Sequence, residues 1–122
     1  MLLTLALPRI NEYMTTARVT KVHAAEGVAL VPGTKLLDLR IDLSVAVPHD
    51  CPPVSYYRIA LRDAAWLRRL ATAPGELLAV GAPIALFSTE QDEPVDAEAA
   101  RAVRFTLAGI VPPDEWWEGN DR

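Results

Sequence analysis

An internal repeat is the sequence feature that most constrains the fold of this chain. Gly27 recurs 48 residues later as Gly75, Gly33 recurs as Gly81, and the apolar positions around these glycines recur with them. Each copy reads as an apolar strand, a turn glycine, a short apolar segment, a second glycine and another apolar strand. Glycine suits a tight turn because it adopts a positive φ without steric cost. Two such units, each too small to bury its apolar face alone, are expected to pack together about a local two-fold axis.

The composition favours an all-β domain. The chain has 122 residues, of which 51% are hydrophobic, with ten prolines and six glycines, which suits one core with frequent turns. Its net charge of -4 excludes the basic surface of a duplex-binding protein. The apolar start, residues 1–7, has no basic n-region and predicts neither a signal peptide nor a membrane span. We therefore expect a cytoplasmic protein that contacts neither nucleic acid nor membrane.

Charge divides the chain near Ser88. Residues 1–87 carry nine basic and seven acidic side chains, whereas residues 88–122 carry three basic and nine acidic ones. The first part is predicted to be a barrel or sandwich made of the two repeat copies. The second part is predicted to be an acidic linker, then a short helix over residues 96–102 or an edge strand, and finally a tail with two adjacent tryptophans.

A long hairpin is predicted between the two copies, over residues 36–61. Apolar and polar residues alternate from Leu37 to Val47, as in a half-buried strand, and a second β-branched and aromatic run starts at Val54. The segment 48–53 contains three prolines, which cannot donate to a strand ladder, so it is predicted to be the loop. Its tip displays His49, Asp50 and Cys51.

Three short motifs occur in a fixed order in the first 87 residues. They are LPRINEYMT (residues 7–15), AEG with PGTKLLD (residues 25–38) and VGAPIA (residues 80–85). In this order they resemble the biotinyl/lipoyl-attachment domain family, especially the lipoyl domain of 2-oxoacid dehydrogenase acyltransferases. The resemblance covers about residues 3–87. It implies a flattened, lipoyl-like barrel of two antiparallel sheets, a hammerhead barrel, with the modified residue on an exposed hairpin.

The lysine that this family modifies is missing. Following the first half without gaps puts Asp42 at the family's aspartate and Leu43 at the lysine that lipoate or biotin acylates. Leucine has no amine, so the attachment site is degenerate and no cofactor is expected. The chain's two lysines, Lys21 and Lys35, align away from the hairpin tip. About ten extra residues, 44–53, lengthen the hairpin where the family carries its prosthetic arm.

The resemblance without the lysine implies a protein-protein interaction or scaffold module in a bacterial acyl-transfer or 2-oxoacid-dehydrogenase-like assembly. The implied partners are acyltransferase or dehydrogenase components or a carrier protein, and a homodimer is also open. We predict no catalytic, cofactor-binding or metal-binding residue; two histidines, His23 and His49, are too few for a zinc site. The predicted partner-binding residues are His49, Asp50, Cys51, Trp116 and Trp117, because exposed tips and tryptophans are favoured interface anchors.

Two alternatives stay open at this point. Cys51 could act as an acyl or redox carrier, since a neighbouring histidine and an exposed hairpin tip favour the thiolate. A small enzyme is the second alternative, in which His49, Asp50 and Cys51 work with groups from a second subunit. The second subunit is required because three consecutive side chains diverge and do not form a catalytic arrangement alone.

Arginines in the second half predict a locally basic edge. Arg68 and Arg69 are adjacent, and Arg58 and Arg62 are close in sequence. Such an edge is expected to be a solvated face, and the alternative is a docking surface for an acidic partner or a phosphopantetheinyl carrier.

Overall fold

The computed structural model describes residues 1–43 and 54–111, and within them the chain forms two five-stranded sheets and no helix. Sheet A has the strand order β3-β6-β8-β1-β9, and sheet B has the order β10-β5-β4-β2-β7. The strands are β1 (Leu2–Ala6), β2 (Thr16–Val22), β3 (Ala29–Leu30), β4 (Lys35–Asp42), β5 (Val54–Leu61), β6 (Ala65–Leu70), β7 (Leu77–Ala79), β8 (Pro83–Ser88), β9 (Arg101–Ala102) and β10 (Phe105–Gly109). The all-β prediction is therefore confirmed.

One core lies between the two sheets. Alternate residues of β4, namely Leu37, Leu39 and Ile41, are buried there, as the period of two in this segment predicts. Phe87 of β8 and Leu67 of β6 pack into the same core from sheet A. Both repeat copies thus direct their apolar faces to a shared interior, which explains why neither unit needs a core of its own.

The apolar start of the chain forms β1, which pairs with β8 on one side and with β9 on the other. Leu3 and Leu5 are fully or almost fully buried in the core. Among the described residues there is no helix with the length and apolarity needed to cross a bilayer.

The 48-residue repeat is present in the backbone hydrogen bonds. Gly75 donates its N–H to the carbonyl of Val19 at 2.7 Å, and Gly27 donates to the carbonyl of Leu67, 48 residues after Val19, also at 2.7 Å. The strand β2 is bulged between Val19 and Lys21 where it pairs with β4, and β6 is bulged at the equivalent place between Leu67 and Arg69. The two halves therefore share their turns, register and irregularities.

The same relation holds for the strand order. The strands of the two halves correspond in pairs: β1 to β5, β2 to β6, β3 to β7 and β4 to β8. Replacing each strand of the row β3-β6-β8-β1 in sheet A by its counterpart gives β7-β2-β4-β5, which is the row found in sheet B. Each sheet therefore takes strands from both halves. The four turn glycines of the repeat have φ values of 88°, 93°, 94° and 91° at Gly27, Gly33, Gly75 and Gly81. These values are the left-handed conformation that the repeat predicts for glycine.

Two expectations about shape need correction. The sheets do not close into a barrel: each keeps two edge strands, β3 and β9 in sheet A and β7 and β10 in sheet B, so the molecule is an open sandwich. The short helix over residues 96–102 does not form. Its last two residues instead make β9, which pairs with β1, because pairing and burial outweigh the local preference of an alanine-rich segment.

The C-terminal extension, residues 89–111, forms edge strands, which is the other structure expected for it. Its strand β9 joins the edge of sheet A and β10 joins β5 at the edge of sheet B, so the extension crosses from one sheet to the other. Val103, between the two strands, is only 3% exposed and belongs to the core. The extension is therefore an integral part of the sandwich along one side.

Candidate functional site

The β4–β5 hairpin, where the resemblance places the family's attachment site, is paired up to Asp42 and Val54. Leu43 follows β4 directly, and its side chain points into the core with 5% of its surface exposed. Residues 44–53 lie outside the described residues, and so do residues 112–122. The predicted partner-binding residues His49, Asp50, Cys51, Trp116 and Trp117 all fall in these two segments.

The two lysines lie in strands. Lys35 is the first residue of β4, and seven strand steps separate it from Asp42 at the hairpin end, a distance of about 23 Å at the usual rise per residue. Lys21 lies in β2 opposite Asp38. Neither amine therefore lies at the hairpin end of the sandwich, although both residues are exposed.

A cluster of three charged or ionisable side chains lies on the outer face of sheet B. The Arg58 guanidinium of β5 donates two hydrogen bonds to the Asp38 carboxylate of β4, from Nε to Oδ1 at 2.8 Å and from Nη2 to Oδ2 at 3.1 Å. His23, just after β2, brings its Nε2 within 3.1 Å of Asp38 Oδ2. That contact is an ion-pair distance rather than a well-aligned hydrogen bond, and Nε2 has no hydrogen-bond partner. The cluster links three adjacent strands across the sheet.

The Asp38 carboxylate is buried although it faces outward from the sandwich, and only 5% of the residue is exposed. Burial alone would raise the pKa of this carboxyl, but the two hydrogen bonds from Arg58, the close contact with the His23 imidazole and the charge of Arg58 together lower it below its ordinary value. The same pairing raises the pKa of Arg58. Both groups are therefore fixed in their charged forms, which suits an immobile structural pair and not a proton-transferring one.

A second ion pair holds the C-terminal extension. Asp63, in the turn between β5 and β6, accepts hydrogen bonds from Arg101 of β9 at 2.9 and 3.2 Å. It also accepts one from the backbone N–H of Arg104 at 2.8 Å. The hydrogen bond from Arg101, then that from Arg104, lowers the pKa of the Asp63 carboxyl. One carboxylate thus binds the extension at both sides of Val103.

The arginines of the second half do not form a single basic edge. Arg58 belongs to sheet B and is paired with Asp38, whereas Arg68 and Arg69 belong to β6 of sheet A. Arg68 donates to Ser88 Oγ at 3.1 Å and to the carbonyl of Glu93 at 2.6 Å, so it also has internal partners. The four arginines therefore do not share one edge, because β5 and β6 leave their turn into different sheets.

The described part of the chain contains no group of three or more His, Cys, Asp or Glu side chains arranged to hold a metal ion. Comparison with known proteins gives no relative, since no family model, curated protein or solved structure matches the chain. A function for this chain must therefore be argued from its own residues.

The charged cluster at Asp38 is the feature that sequence reasoning missed. Asp38 was visible only as a polar residue of an alternating strand, and Arg58 only as part of a basic edge. The pairing register of β4 and β5 brings the two together, opposite one another.

Proposed function

We propose that the protein is a lipoyl-like module that carries no acyl cofactor and serves as a protein-protein interaction unit, within a bacterial acyl-transfer or 2-oxoacid-dehydrogenase-like assembly. The observation that carries the proposal is the position and burial of Leu43. It stands where the resemblance places the acylated lysine, and it offers a buried hydrocarbon side chain in place of an exposed amine.

The duplicated frame supports the lipoyl-like part of the proposal. The family resemblance implies two antiparallel sheets related by a local two-fold axis, with the attachment hairpin at one end. In this chain the two halves repeat one another in turn glycines, backbone hydrogen bonds and bulges. The hairpin that would carry the cofactor joins β4 of the first half to β5 of the second.

The lengthened hairpin supports the interaction part. A partner enzyme that acts on a lipoyl domain reads the protein surface around the attachment hairpin, and a module without the amine keeps such a surface without the chemistry. The hairpin loop, residues 48–53, and the tail with Trp116 and Trp117 are the proposed contacts. Tryptophan is among the residues that contribute most to binding when it is buried in an interface.

Intact mass spectrometry of the protein purified from its native host is the first test. The proposal expects the mass of the unmodified chain. A covalent adduct that disappears in Cys51→Ser would instead support a thiol carrier, and an adduct on either lysine would overturn the degenerate attachment site. Lys21→Arg and Lys35→Arg locate an adduct of the latter kind without removing the positive charge.

Chemical cross-linking in the native host, followed by identification of the linked peptides, is the second test. The proposal expects cross-links to an acyltransferase, dehydrogenase or carrier component that are lost when Trp116 and Trp117 are both changed to alanine, or when residues 44–53 are replaced by Asn-Gly. Leu77→Ser, at the exposed edge strand β7, is the matched control and should leave the cross-links unchanged. Cross-links to unrelated proteins only, or none, contradict the proposal.

A graft tests the lipoyl-like frame separately. The segment 43–53 is replaced by a short hairpin with an Asp-Lys tip, and the variant is incubated with a lipoate-protein ligase, ATP and lipoate. Lipoylation of the graft, with none of the parent protein, is expected if the frame is one that such ligases read. An unmodified graft that still gives the parent's dispersed amide spectrum contradicts the lipoyl-like assignment.

A further inference from the structure

A hollow of about 290 Å³ lies on the outer face of sheet A, over strands β1, β6 and β8. Thr4, Ala71 and Leu86 line it with short or apolar side chains, and Arg69 is the charged residue of its lining. Its size is at the lower end of ligand-binding pockets, which range over about 300–1,000 Å³. A small molecule or part of a larger one would fill it.

The repeat explains why the hollow exists. Counted through the repeat, Leu86 is the counterpart of Asp38 and Ala71 is the counterpart of His23, each at 48 residues. Thr4 is the counterpart of Arg58, because Thr4 lies opposite Leu86 as Arg58 lies opposite Asp38.

The backbone is equivalent in the two places, but the side chains are not. His23 and Ala71 make the same backbone hydrogen bond, to the carbonyls of Leu36 and Ile84 at 2.8 Å in each case. On sheet B the counterpart positions carry the long side chain of Arg58 and the ring of His23, which reach over the strands to Asp38. On sheet A the shorter Thr4 and Ala71 stand in their places and line the hollow.

The residues that line the hollow favour a ligand with an aliphatic chain and a negatively charged head group. Its floor offers methyl and methylene groups of Leu86, Ala71 and Thr4, which favour an aliphatic group. The Arg69 side chain is exposed, and its guanidinium makes no hydrogen bond or ion pair with any described residue. A guanidinium with free donors matches a carboxylate at two points.

We propose that this hollow binds a small aliphatic carboxylate, whose chain lies on Leu86 and Ala71 and whose head group pairs with Arg69. The proposal is independent of the interaction function above, since it uses sheet A and not the hairpin or the tail. It adds a ligand site on the sheet opposite the one that contains the hairpin strands β4 and β5.

The test is a titration of the isotopically labelled full chain with octanoate, followed by two-dimensional amide NMR. The expected result is a saturable shift of amides around the hollow, at Thr4, Ala71 and Leu86. Octylamine, which has the same chain and the opposite charge, should not saturate the site. Equal binding of octanoate and octanol would mean apolar adsorption without recognition of a carboxylate and would overturn the proposal, as would the absence of binding.

Substitutions at two exposed residues test whether Arg69 binds the carboxylate head group. Arg69→Gln is expected to weaken octanoate binding about ten- to a hundredfold, because it removes a charged hydrogen-bond donor. Lys21→Gln changes the counterpart residue on the other sheet and should leave the affinity unchanged. If both variants bind as the parent does, or both lose the same affinity, Arg69 has no specific role and the proposal fails.

Filling the hollow is the last control. Ala71→Phe places a ring over Leu86 from an exposed position and keeps the backbone hydrogen bond of residue 71. Its amide spectrum reports whether the fold is intact. With an intact fold, loss of octanoate binding is expected, and retained binding would place the ligand elsewhere and contradict the site.

Discussion

The Asp38 carboxylate and the Arg58 guanidinium make a two-point ion pair across β4 and β5, with donor–acceptor distances of 2.8 and 3.1 Å. The carboxylate is almost wholly buried, whereas 27% of the Arg58 side chain is exposed. The unequal exposure decides how each partner responds to removal of the other. If Asp38 is removed, the Arg58 guanidinium can still be solvated by water. If Arg58 is removed, the Asp38 carboxylate stays buried and cannot be solvated in this way.

Asp38→Asn is expected to lower the free energy of unfolding by about 1–3 kcal/mol at pH 7, because it weakens a charge-assisted pair without creating a cavity. Urea denaturation measures the change. Asp92→Asn is the matched control, since the Asp92 side chain is exposed and has no ion pair or hydrogen bond to the part of the chain that the structure describes, and its effect should stay within about 0.5 kcal/mol. Equal losses in the two variants would show that the Asp38 pair contributes nothing.

The repeat supplies a sharper version of this prediction. The double variant Asp38→Leu with Arg58→Thr copies the counterpart residues Leu86 and Thr4. It is expected to be less destabilised than the sum of the two single variants, by about 0.5–3 kcal/mol, since it leaves no unpaired buried charge. Strict additivity of the three measurements would contradict direct coupling between the two side chains.

Acid should weaken the fold through Asp38 and Asp63, whose pKa values are both lowered in the folded protein. The unfolded chain binds protons more readily at these two sites, so their contribution to stability is complete above the ordinary carboxyl pKa of about 4. It is lost as the pH falls through the lower pKa values of the folded state. Urea titrations between neutral pH and pH 2 are expected to show this loss.

The Asp38→Asn variant should lose less stability than the parent over the same acid range, because it lacks the Asp38 carboxyl, whose pKa is lowered in the folded protein. A parallel decline in parent and variant would mean that Asp38 does not contribute to the acid sensitivity. Asp92→Asn again serves as the control and should follow the parent.

Asp63→Ala is expected to loosen the C-terminal extension while the rest of the sandwich keeps its protection. Hydrogen exchange followed by NMR should show several-fold faster exchange at Ala100 and Val103, whose N–H groups bond to β1. Val19 and Leu67, which pair within the repeat frame, should be unaffected. Uniformly faster exchange at all four amides would show that Asp63 stabilises the whole fold and not the extension alone.

Gly75→Ala is expected to cost about 1–2 kcal/mol, the penalty of a left-handed conformation for a residue with a Cβ. The added Cβ meets no atom within 4 Å at this position, so the cost comes from the backbone alone. Gly109→Ala also meets open space but has no positive φ, and it should change stability little. Gly27→Ala should match Gly75→Ala, and a clear difference between them would contradict the equivalence of the two turns.

Much of the frame could be predicted from sequence because the repeat places glycine where the backbone needs a positive φ. The alternation in β4 likewise identified its buried face, at Leu37, Leu39 and Ile41. These signals are local, since a turn or a strand is specified by a few adjacent residues. The open edges of the sheets were not predictable in this way, because closure depends on strands that meet only in the folded chain.

The cluster at Asp38 could not be found from sequence for a related reason. Asp38 and Arg58 are separated by the hairpin connection, and the pairing register across it, including a bulge near Lys35, decides which side chains meet. The segment 96–102 shows the opposite case, in which alanines and an acidic start favour a helix locally. Pairing with β1 and burial of Val103 override that preference.

The way β1 pairs sets an order of events during synthesis of the protein. Leu2–Ala6 hydrogen-bonds to β8, and Leu5 lies opposite Ala85, so the first strand has no partner until about 80 further residues have been made. At ordinary ribosomal speeds this delay is roughly 4–16 s. Through that interval the leucines of β1, which are buried in the folded protein, lack the strand they pair with, and apolar surface exposed in this way is what makes a nascent chain prone to aggregate.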